Sequence, residues 1–459
     1  MIKIGLLPLY IALYDQSSPG LRPRLEGFYE RTAQDLERLG FEVLRSAFCR
    51  VEEEFARAVC GFAQAGAQCL VTLHMAYSPS LESSAALAGT PLPLVVLDIT
   101  DTYEFGPAQS PENIMYCHGV HGVMDMCSLL LQNGKAFAIA AGHPAHSDVL
   151  ARAAGFIRAA AAAHSLAGSR VGSVGGAFRG MGDFAVTDVE LRERFGVEVV
   201  TAGAQTLTGL IQAVTEEEIQ AEMEADAAAF LPLGTISREA HARTAREGLA
   251  LRKWIETEGL AAFSVNFAKL GPGTGLSTAP FMEACKAMGR GTGYAGEGDV
   301  LTAAFTGALL RGFADTSFVE IFCPDWKGGR LFLSHMGEMN LRLAAGKPEM
   351  MEKEFAFAKT ETPVLCYGCY RSGEALYVNV CRGPGGFRLV LSPVAMEAEQ
   401  GGSFAGNIRG WMRPRMPVSA FLEAHSRAGA THHSILVYGA KTEQLRFFGE
   451  ALGMEVVEL

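Results

Sequence analysis

The sequence predicts an α/β protein with two Rossmann-like parallel-sheet domains followed by a β-rich, barrel-like C-terminal domain. Its 459 residues exceed the length at which one hydrophobic core keeps growing, so we expect two or three domains. The first part alternates short apolar runs with helical stretches, which is typical of a parallel sheet covered by helices. From about Ser317, strand-like runs joined by glycine-rich turns indicate a β-rich domain.

The elements follow this division in order. The first domain, 1–169, has predicted strands at 2–8, 41–48, 69–73, 94–99 and 135–140 and helices at 21–39, 52–65 and 147–163. The central domain, 170–315, has predicted strands at 170–174, 197–200 and 262–267 and helices at 212–230, 237–257 and 280–288. The last domain, 316–459, has predicted strands at 318–322, 331–334, 363–367, 375–380, 387–393 and 433–438 and helices at 418–427 and 441–452.

Bulk properties exclude several classes of function. The formal net charge of −11 argues against a surface that binds nucleic acid or an anionic membrane. Ten scattered cysteines in a chain of this size indicate reduced, mostly buried thiols. The apolar start is too short for a secretory signal, and no stretch predicts a membrane span, so we expect a cytoplasmic protein.

Carboxylates and imidazoles in the last third of the chain make a candidate metal site. Glu297 lies in the turn Gly-Glu-Gly-Asp, Glu320 interrupts an apolar strand, His335 follows another strand, and His432 and His433 are adjacent. This mixed oxygen and nitrogen set suits a divalent cation that keeps positions open for substrate oxygens. Each residue also has a simpler interpretation: an acidic helix start for Glu297, a water-facing strand position for Glu320, and a satisfied core imidazole for each histidine.

These residues lie in four short motifs: Tyr-Ala-Gly-Glu-Gly-Asp at 294–299, Thr-Ser-Phe-Val-Glu at 316–320, Ser-His-Met at 334–336 and Ala-Thr-His-His at 430–433. In this order, the motifs resemble those of the L-arabinose isomerase / L-fucose isomerase family of aldose–ketose isomerases, and of the L-arabinose isomerase branch most closely. The resemblance implies that Glu297 and Glu320 are both metal ligands and catalytic residues. It also implies that His335 and His433 are metal ligands, with His432 in reserve.

The same resemblance implies further properties. It implies a divalent metal, Mn²⁺ before Co²⁺ or Mg²⁺, and a reaction through a cis-enediol. It implies a homo-oligomer, a trimer or hexamer, in which His121 reaches the site of a neighbouring subunit. The substrate-binding residues that we predict are Tyr10, His121, Phe178, Phe267 and His432.

Two departures from the family pattern bear on the sugar. The family has a polar stretch after the first strand where this chain reads Leu7-Pro8-Leu9-Tyr10-Ile11, and Phe178 stands in place of a methionine. We therefore expect an L-arabinose- or L-fucose-like or modified sugar as substrate. Two alternatives stay open: an isomerase or epimerase of a phospho- or sulfo-sugar, and a non-catalytic sugar-binding protein. An arginine cluster that could recognise such an anion motivates the first alternative: Arg409, Arg413 and Arg415.

Overall fold

The computed structural model of the chain describes residues 1–399 and 402–459. These residues form two compact units, one of Met1–Ser165 with Glu443–Gly453 and one of Leu166–Thr442 with Met454–Leu459. The second unit contains both a parallel sheet and a barrel. The three-domain division at 169/170 and 315/316 stays a prediction.

The first unit is a five-stranded parallel sheet covered by helices. Its strands are β1 (Ile2–Leu9), β2 (Phe41–Arg45), β3 (Cys69–His74), β4 (Leu94–Asp98) and β5 (Phe137–Ala141). Its helices are α1 (Ala12–Ser17), α2 (Leu21–Arg38), α3 (Glu52–Gln64), α4 (Ser80–Gly89), α5 (Ile114–Cys117), α6 (Gly119–Gln132) and α7 (Val149–His164). The strand order is β2-β1-β3-β4-β5 with every pair parallel, as the alternating pattern predicts.

Helix α6 packs on the core of this unit through a face at helical spacing. That face comprises Gly119, Gly122, Val123, Met126 and Leu130. Gly122 is required for the close approach, because a Cβ there would lie 2.6 Å from Cδ2 of His74. One stretch that includes this helix, Pro111–Gln132, is long and apolar enough by length and composition to cross a membrane. A single stretch of this kind is weak evidence for a span, because a core helix of a soluble protein passes the same test.

The second unit begins with another parallel sheet. Its first strands are β6 (Arg170–Val174), β7 (Glu198–Thr201), β8 (Leu231–Pro232), β9 (Ala262–Val265) and β10 (Gly293–Gly296). Its helices are α8 (Asp188–Phe195), α9 (Ala204–Ala213), α10 (Glu216–Ala229), α11 (Arg238–Glu258), α12 (Phe281–Gly289) and α13 (Val300–Gly312). Four of the strands pair in the parallel order β10-β9-β6-β7, whereas β8 joins a small separate sheet.

In the rest of this unit, six antiparallel strands close into a barrel. Its elements are β11 (Thr316–Asp325), β12 (Arg330–Ser334), β13 (Glu349–Glu352), β14 (Val364–Tyr367), β15 (Gly373–Gly383), β16 (Gly386–Glu397), β17 (Gly410–Pro414), α14 (Val418–Arg427), β18 (His433–Tyr438) and β19 (Glu455–Glu458). Helix α15 (Thr442–Ala451) lies between the last two strands in the sequence and belongs to the first unit from Glu443 onward. Six strands pair in the order β15-β18-β11-β12-β17-β16, and the β15–β16 pair closes the ring. The predicted barrel-like domain is therefore confirmed. Strand β19 extends β16, and β14, β13 and β8 form the small sheet.

The predicted helix at 212–230 is wrong as one element. The chain has α9 and α10 instead, separated at Val214 and Thr215. The Thr215 side chain accepts a hydrogen bond from the backbone N–H of Glu218, and the backbone N–H of Thr215 donates to the Glu218 carboxylate. This reciprocal pair is a capping box, which starts a new helix.

Several elements were not predicted, among them α4, α6, α8 and α13 and the strands β10, β13, β17 and β19. Helix α13 shows why: eleven of its thirteen residues are buried, so its apolar residues follow no amphipathic period. A helix that is apolar all round lacks the one-sided pattern by which helices are recognised in a sequence.

Candidate active site

Glu297 has an unusual backbone conformation. It follows β10 directly and has φ of 62°, the only positive φ of a non-glycine residue among the described residues. Its carbonyl accepts a hydrogen bond from the backbone N–H of Phe178 at 2.9 Å. Gly298 next to it has φ of 82°, and a Cβ there would lie 2.1 Å from the carbonyl oxygen of Gly176. A left-handed non-glycine residue costs about 1–2 kcal/mol, and such strain clusters at functional sites.

Glu320 and two histidines are brought together by the barrel register. On β11, Glu320 pairs with His433 of β18 on one side and with Ser334 of β12 on the other. His335 follows Ser334 at the end of β12. Because these strands are neighbours, residues about 100 positions apart in the sequence share one end of the barrel wall.

The side chains converge within hydrogen-bonding distance. Oε1 of Glu320 lies 3.1 Å from Nε2 of His335 and 3.0 Å from Nε2 of His433. Oε2 of Glu297 lies 3.4 Å from Nε2 of both His432 and His433. One ligand atom from each of Glu297, Glu320, His432 and His433 lies within 4.8 Å of the others. His335 reaches the same cluster through Glu320.

Burial separates the three histidines. The side chains of His433 and His335 are 0% and 3% exposed, whereas that of His432 is 40% exposed. The ring of His433 stacks on Phe184 at 4.8 Å between centroids and meets the ring of Phe318 edge-on at 5.0 Å. His433 and His335 are therefore enclosed, and His432 stands on the solvent side.

Each of these histidines has a carboxylate on its other ring nitrogen. Nδ1 of His433 lies 2.9 Å from Asp299, and Nδ1 of His335 lies 2.6 Å from Glu338. Nδ1 of His432 lies 2.6 Å from Asp183. A carboxylate on Nδ1 fixes the ring so that Nε2 faces the cluster, which is the usual arrangement behind metal-binding histidines.

The electrostatics couple these groups. Burial raises the pKa of Glu297, but the adjacent imidazoles of His432 and His433 outweigh burial and bring the pKa to about 2. Burial also raises the pKa of Glu320, yet His335 and His433 hold it well below its usual range. Burial lowers the pKa of His335, but Glu338 and Glu320 raise it to about 10. The carboxylates are thus ionised, and positive charge is favoured among them.

The donor set fits a divalent cation. Glu320 Oε1 and His433 Nε2 are both buried, and neither makes a directed hydrogen bond within the described part of the chain. Carboxylate oxygens and imidazole nitrogens without thiolates are the ligands of ions such as Mn²⁺ and Mg²⁺. A cation at this position would take over the charge that protons on the imidazoles otherwise supply.

Of the predicted substrate-binding residues, His432 lies in the cluster with Glu297, and the other four fall in two places. Phe178 and Phe267 are half-buried in the second unit, with ring centroids 5.4 Å apart, and Phe178 adjoins the Glu297 backbone. Tyr10 and His121 lie in the first unit, where Tyr10 is buried after β1 and His121 is exposed on α6. A histidine at the end of a strand is the simpler interpretation of His121 from the sequence, and it is wrong, because His121 lies within α6.

An aromatic cavity of about 400 Å³ adjoins His335. Six of its fourteen lining residues are phenylalanine or tyrosine, namely Phe322, Phe332, Phe355, Phe357, Tyr367 and Phe404. Rings of this kind can pack on the apolar faces of a sugar.

The outer carboxylates are the candidate site residues that sequence reasoning did not assign. Asp299 stands in the Gly-Glu-Gly-Asp turn and also caps α13 by accepting the backbone N–H of Thr302 at 2.8 Å. Glu338 lies three residues after His335, a spacing that could have indicated it. Asp183 lies 249 positions from His432, and no signal in the sequence links the two.

Comparison with known proteins identifies the family. The model of the L-arabinose isomerase central domain matches residues 176–311, and that of the L-arabinose isomerase C-terminal domain matches residues 315–455. An L-arabinose isomerase of Nocardioides sp. is 30% identical over 353 residues, which cover 73% of this chain and 69% of that protein. One of Herpetosiphon aurantiacus is 27% identical over 408 residues, 85% of this chain and 80% of that protein.

A third relative extends the similarity further along the chain. The L-arabinose isomerase of Anoxybacillus flavithermus is 28% identical over 434 residues, which cover 90% of this chain and 85% of that protein. The predicted family is thus confirmed along nearly the whole length. The chain belongs to the L-arabinose isomerase family, and it is an enzyme of the aldose–ketose isomerase class.

Proposed function

We propose that this aldose–ketose isomerase requires a divalent cation and works through a cis-enediol. The observation that carries the proposal is the convergence of two buried glutamates and the Nε2 atoms of histidines whose Nδ1 atoms are each bound by a carboxylate. The ligands that we assign are Glu297, Glu320, His335 and His433. His432 has the same orientation but is the most exposed, so it suits a substrate hydroxyl or a reserve ligand.

A bound divalent cation would polarise the sugar carbonyl and acidify the neighbouring C–H. The chain itself would move the proton. Glu320 stands between two imidazoles, which makes it the better fixed ligand. Glu297 has the longer contacts, so we assign it as the base that takes the proton from C2 and returns it to C1. Glu320 would then hold the hydroxyl proton.

The substrate that we propose is a sugar other than L-arabinose, or one for which L-arabinose is a poor substitute. Residues 7–9, which replace the family's polar stretch, belong to the buried strand β1. Phe178 adds a rigid ring beside Glu297. An apolar surface discriminates between hydroxyl patterns less strongly than hydrogen-bonding groups do. The enzyme should therefore prefer a sugar that differs from L-arabinose in shape or in a substituent at C4 to C6.

A charged sugar is less well supported. Arg409 is buried and pairs with Glu349, and Arg413 pairs with Glu397 at 2.6 Å. Two of the three clustered arginines therefore already have carboxylate partners. This pairing favours an uncharged sugar over a phospho- or sulfo-sugar.

The remaining proposals follow from the family. We expect Mn²⁺ as the preferred ion with Co²⁺ or Mg²⁺ as alternatives, a homo-oligomer (a trimer or hexamer), and a cytoplasmic location. Binding of nucleic acid or of a membrane is not expected from the net charge of −11.

Metal-stripped protein tests the proposed function. After chelation and removal of the chelator, conversion of aldose to ketose should be lost and should return with Mn²⁺ or Co²⁺. A panel of pentoses and hexoses, including forms modified at C6, supplies the substrates. Full activity in verified metal-free protein would contradict the metal requirement. Mn²⁺ binding without conversion of any sugar would favour the non-catalytic alternative.

A further inference from the structure

Glu338 is a fully buried carboxylate directly behind the candidate metal site. Its side chain is 0% exposed. One oxygen lies 2.6 Å from Nδ1 of His335, and the other accepts a hydrogen bond from the Tyr294 hydroxyl at 2.9 Å. Both donors point at Glu338 from residues that are themselves almost wholly buried.

The backbone on both sides of Glu338 is fixed by hydrogen bonds to helix α12. The thiol of Cys285 on α12 donates to the carbonyl of Gly337 and accepts the backbone N–H of Met339, both at 3.2 Å. The carboxylate is thus anchored through its backbone and through the Tyr294 hydroxyl. It cannot follow the imidazole if that ring turns, so it holds the ring in one orientation.

We propose that Glu338 is a positioning residue that fixes the orientation and tautomer of His335 for the cation. With Nδ1–H donated to Glu338, Nε2 faces Glu320 and the shared centre, where it can bind a cation once it has lost its proton. The negative charge of Glu338 also makes this imidazole a stronger donor to a cation. The inference rests on the proposed metal requirement, and it adds a residue that touches neither the cation nor the sugar.

The alternative is that Glu338 only stabilises the fold. The two roles differ in what they predict. A purely structural carboxylate would lower the stability of the metal-free protein when changed and leave the affinity of the folded protein for Mn²⁺ unaltered. A positioning carboxylate would lower the affinity for Mn²⁺ even in a variant that folds normally.

The test is the affinity for Mn²⁺ by isothermal titration calorimetry of metal-free protein. Glu338→Gln keeps the volume and one acceptor oxygen but removes the charge, so we expect about a tenfold loss of affinity. Glu338→Leu removes the acceptor as well, and about a hundredfold loss is expected. At saturating Mn²⁺, kcat of Glu338→Gln should largely recover, because the cation and both glutamates are then in place.

Two further variants separate the roles. Tyr294→Phe keeps the contact between Glu338 and His335 and should weaken Mn²⁺ binding less than Glu338→Gln does. Glu247→Gln is the matched control, because Glu247 is also a buried carboxylate of this unit and accepts hydrogen bonds from Ser277 and Thr278. It should lower the unfolding midpoint without changing the affinity for Mn²⁺.

The outcomes are distinguishable. If wild-type protein binds no Mn²⁺, the proposed function itself fails. If wild-type protein binds Mn²⁺ and folded Glu338→Gln binds it within about twofold of wild type, the positioning role is wrong, since that role predicts about a tenfold loss. If Glu247→Gln loses affinity equally, the effect comes from general destabilisation and the positioning role is again wrong.

Discussion

Replacing Glu320 by glutamine is the most direct perturbation of the proposed centre. The change keeps the side-chain volume but removes a charge that lies 3.0 and 3.1 Å from two imidazole nitrogens. The side chain is 11% exposed, so water screens it poorly. Two unit charges about 4 Å apart interact with about 4 kcal/mol at an effective dielectric constant near 20. At 1.36 kcal/mol per decade, this corresponds to a loss of about 10³-fold in kcat/KM.

The assay is the conversion of the best sugar in the panel, measured across a titration of Mn²⁺, with circular dichroism to verify the fold. Glu297→Gln should lose a similar factor, because it removes the assigned base. Glu374→Gln is the control, since Glu374 is an exposed glutamate on the barrel strand β15. A loss of less than about tenfold for Glu320→Gln at saturating Mn²⁺ would refute its role as an essential ligand.

Three further predictions concern the sugar, the strained turn and the first unit. In kcat/KM across the sugar panel, L-arabinose should not be the best substrate, and a wide lead for L-arabinose would overturn the argument from residues 7–9. Gly298→Ala should lower stability by more than about 1 kcal/mol and reduce kcat, because a left-handed φ and the Gly176 carbonyl both oppose a Cβ. Gly291→Ala is the control, because Gly291 also has a left-handed φ but has open space for a Cβ, so this variant should lose stability without losing kcat. If both variants lost kcat equally, the loss in Gly298→Ala could not be attributed to a shift of the neighbouring Glu297. His74 is buried without a hydrogen-bond partner among the described residues, and burial lowers its pKa to about 3. Between about pH 6.5 and 3 the unfolded chain therefore binds one proton more than the folded chain at this residue, so its contribution to the free energy of unfolding should fall by about 1.4 kcal/mol for each pH unit lowered. Urea unfolding at several pH values should show a smaller pH dependence of this free energy for His74→Leu than for wild type.

The local residue pattern determined much of this protein. The alternation of apolar runs and helices predicted the first sheet, because each strand and helix is specified by its own residues. The chemical types at Glu297, Glu320, His335 and His433, with their resemblance to a known family, were enough to nominate the centre. The family itself was predicted from four short motifs in order.

Only the tertiary structure decided how these groups are oriented. The β11–β18 and β11–β12 registers bring Glu320 beside both histidines, and the β15–β16 pair closes the barrel. Asp183 and Glu338 became visible as partners of His432 and His335 only through contacts in space. The physical reason is that side-chain orientation and strand register arise from contacts between distant parts of the chain. A local sequence pattern can specify the secondary-structure elements and the types of metal-binding atoms, but it does not determine which of these atoms will face one another.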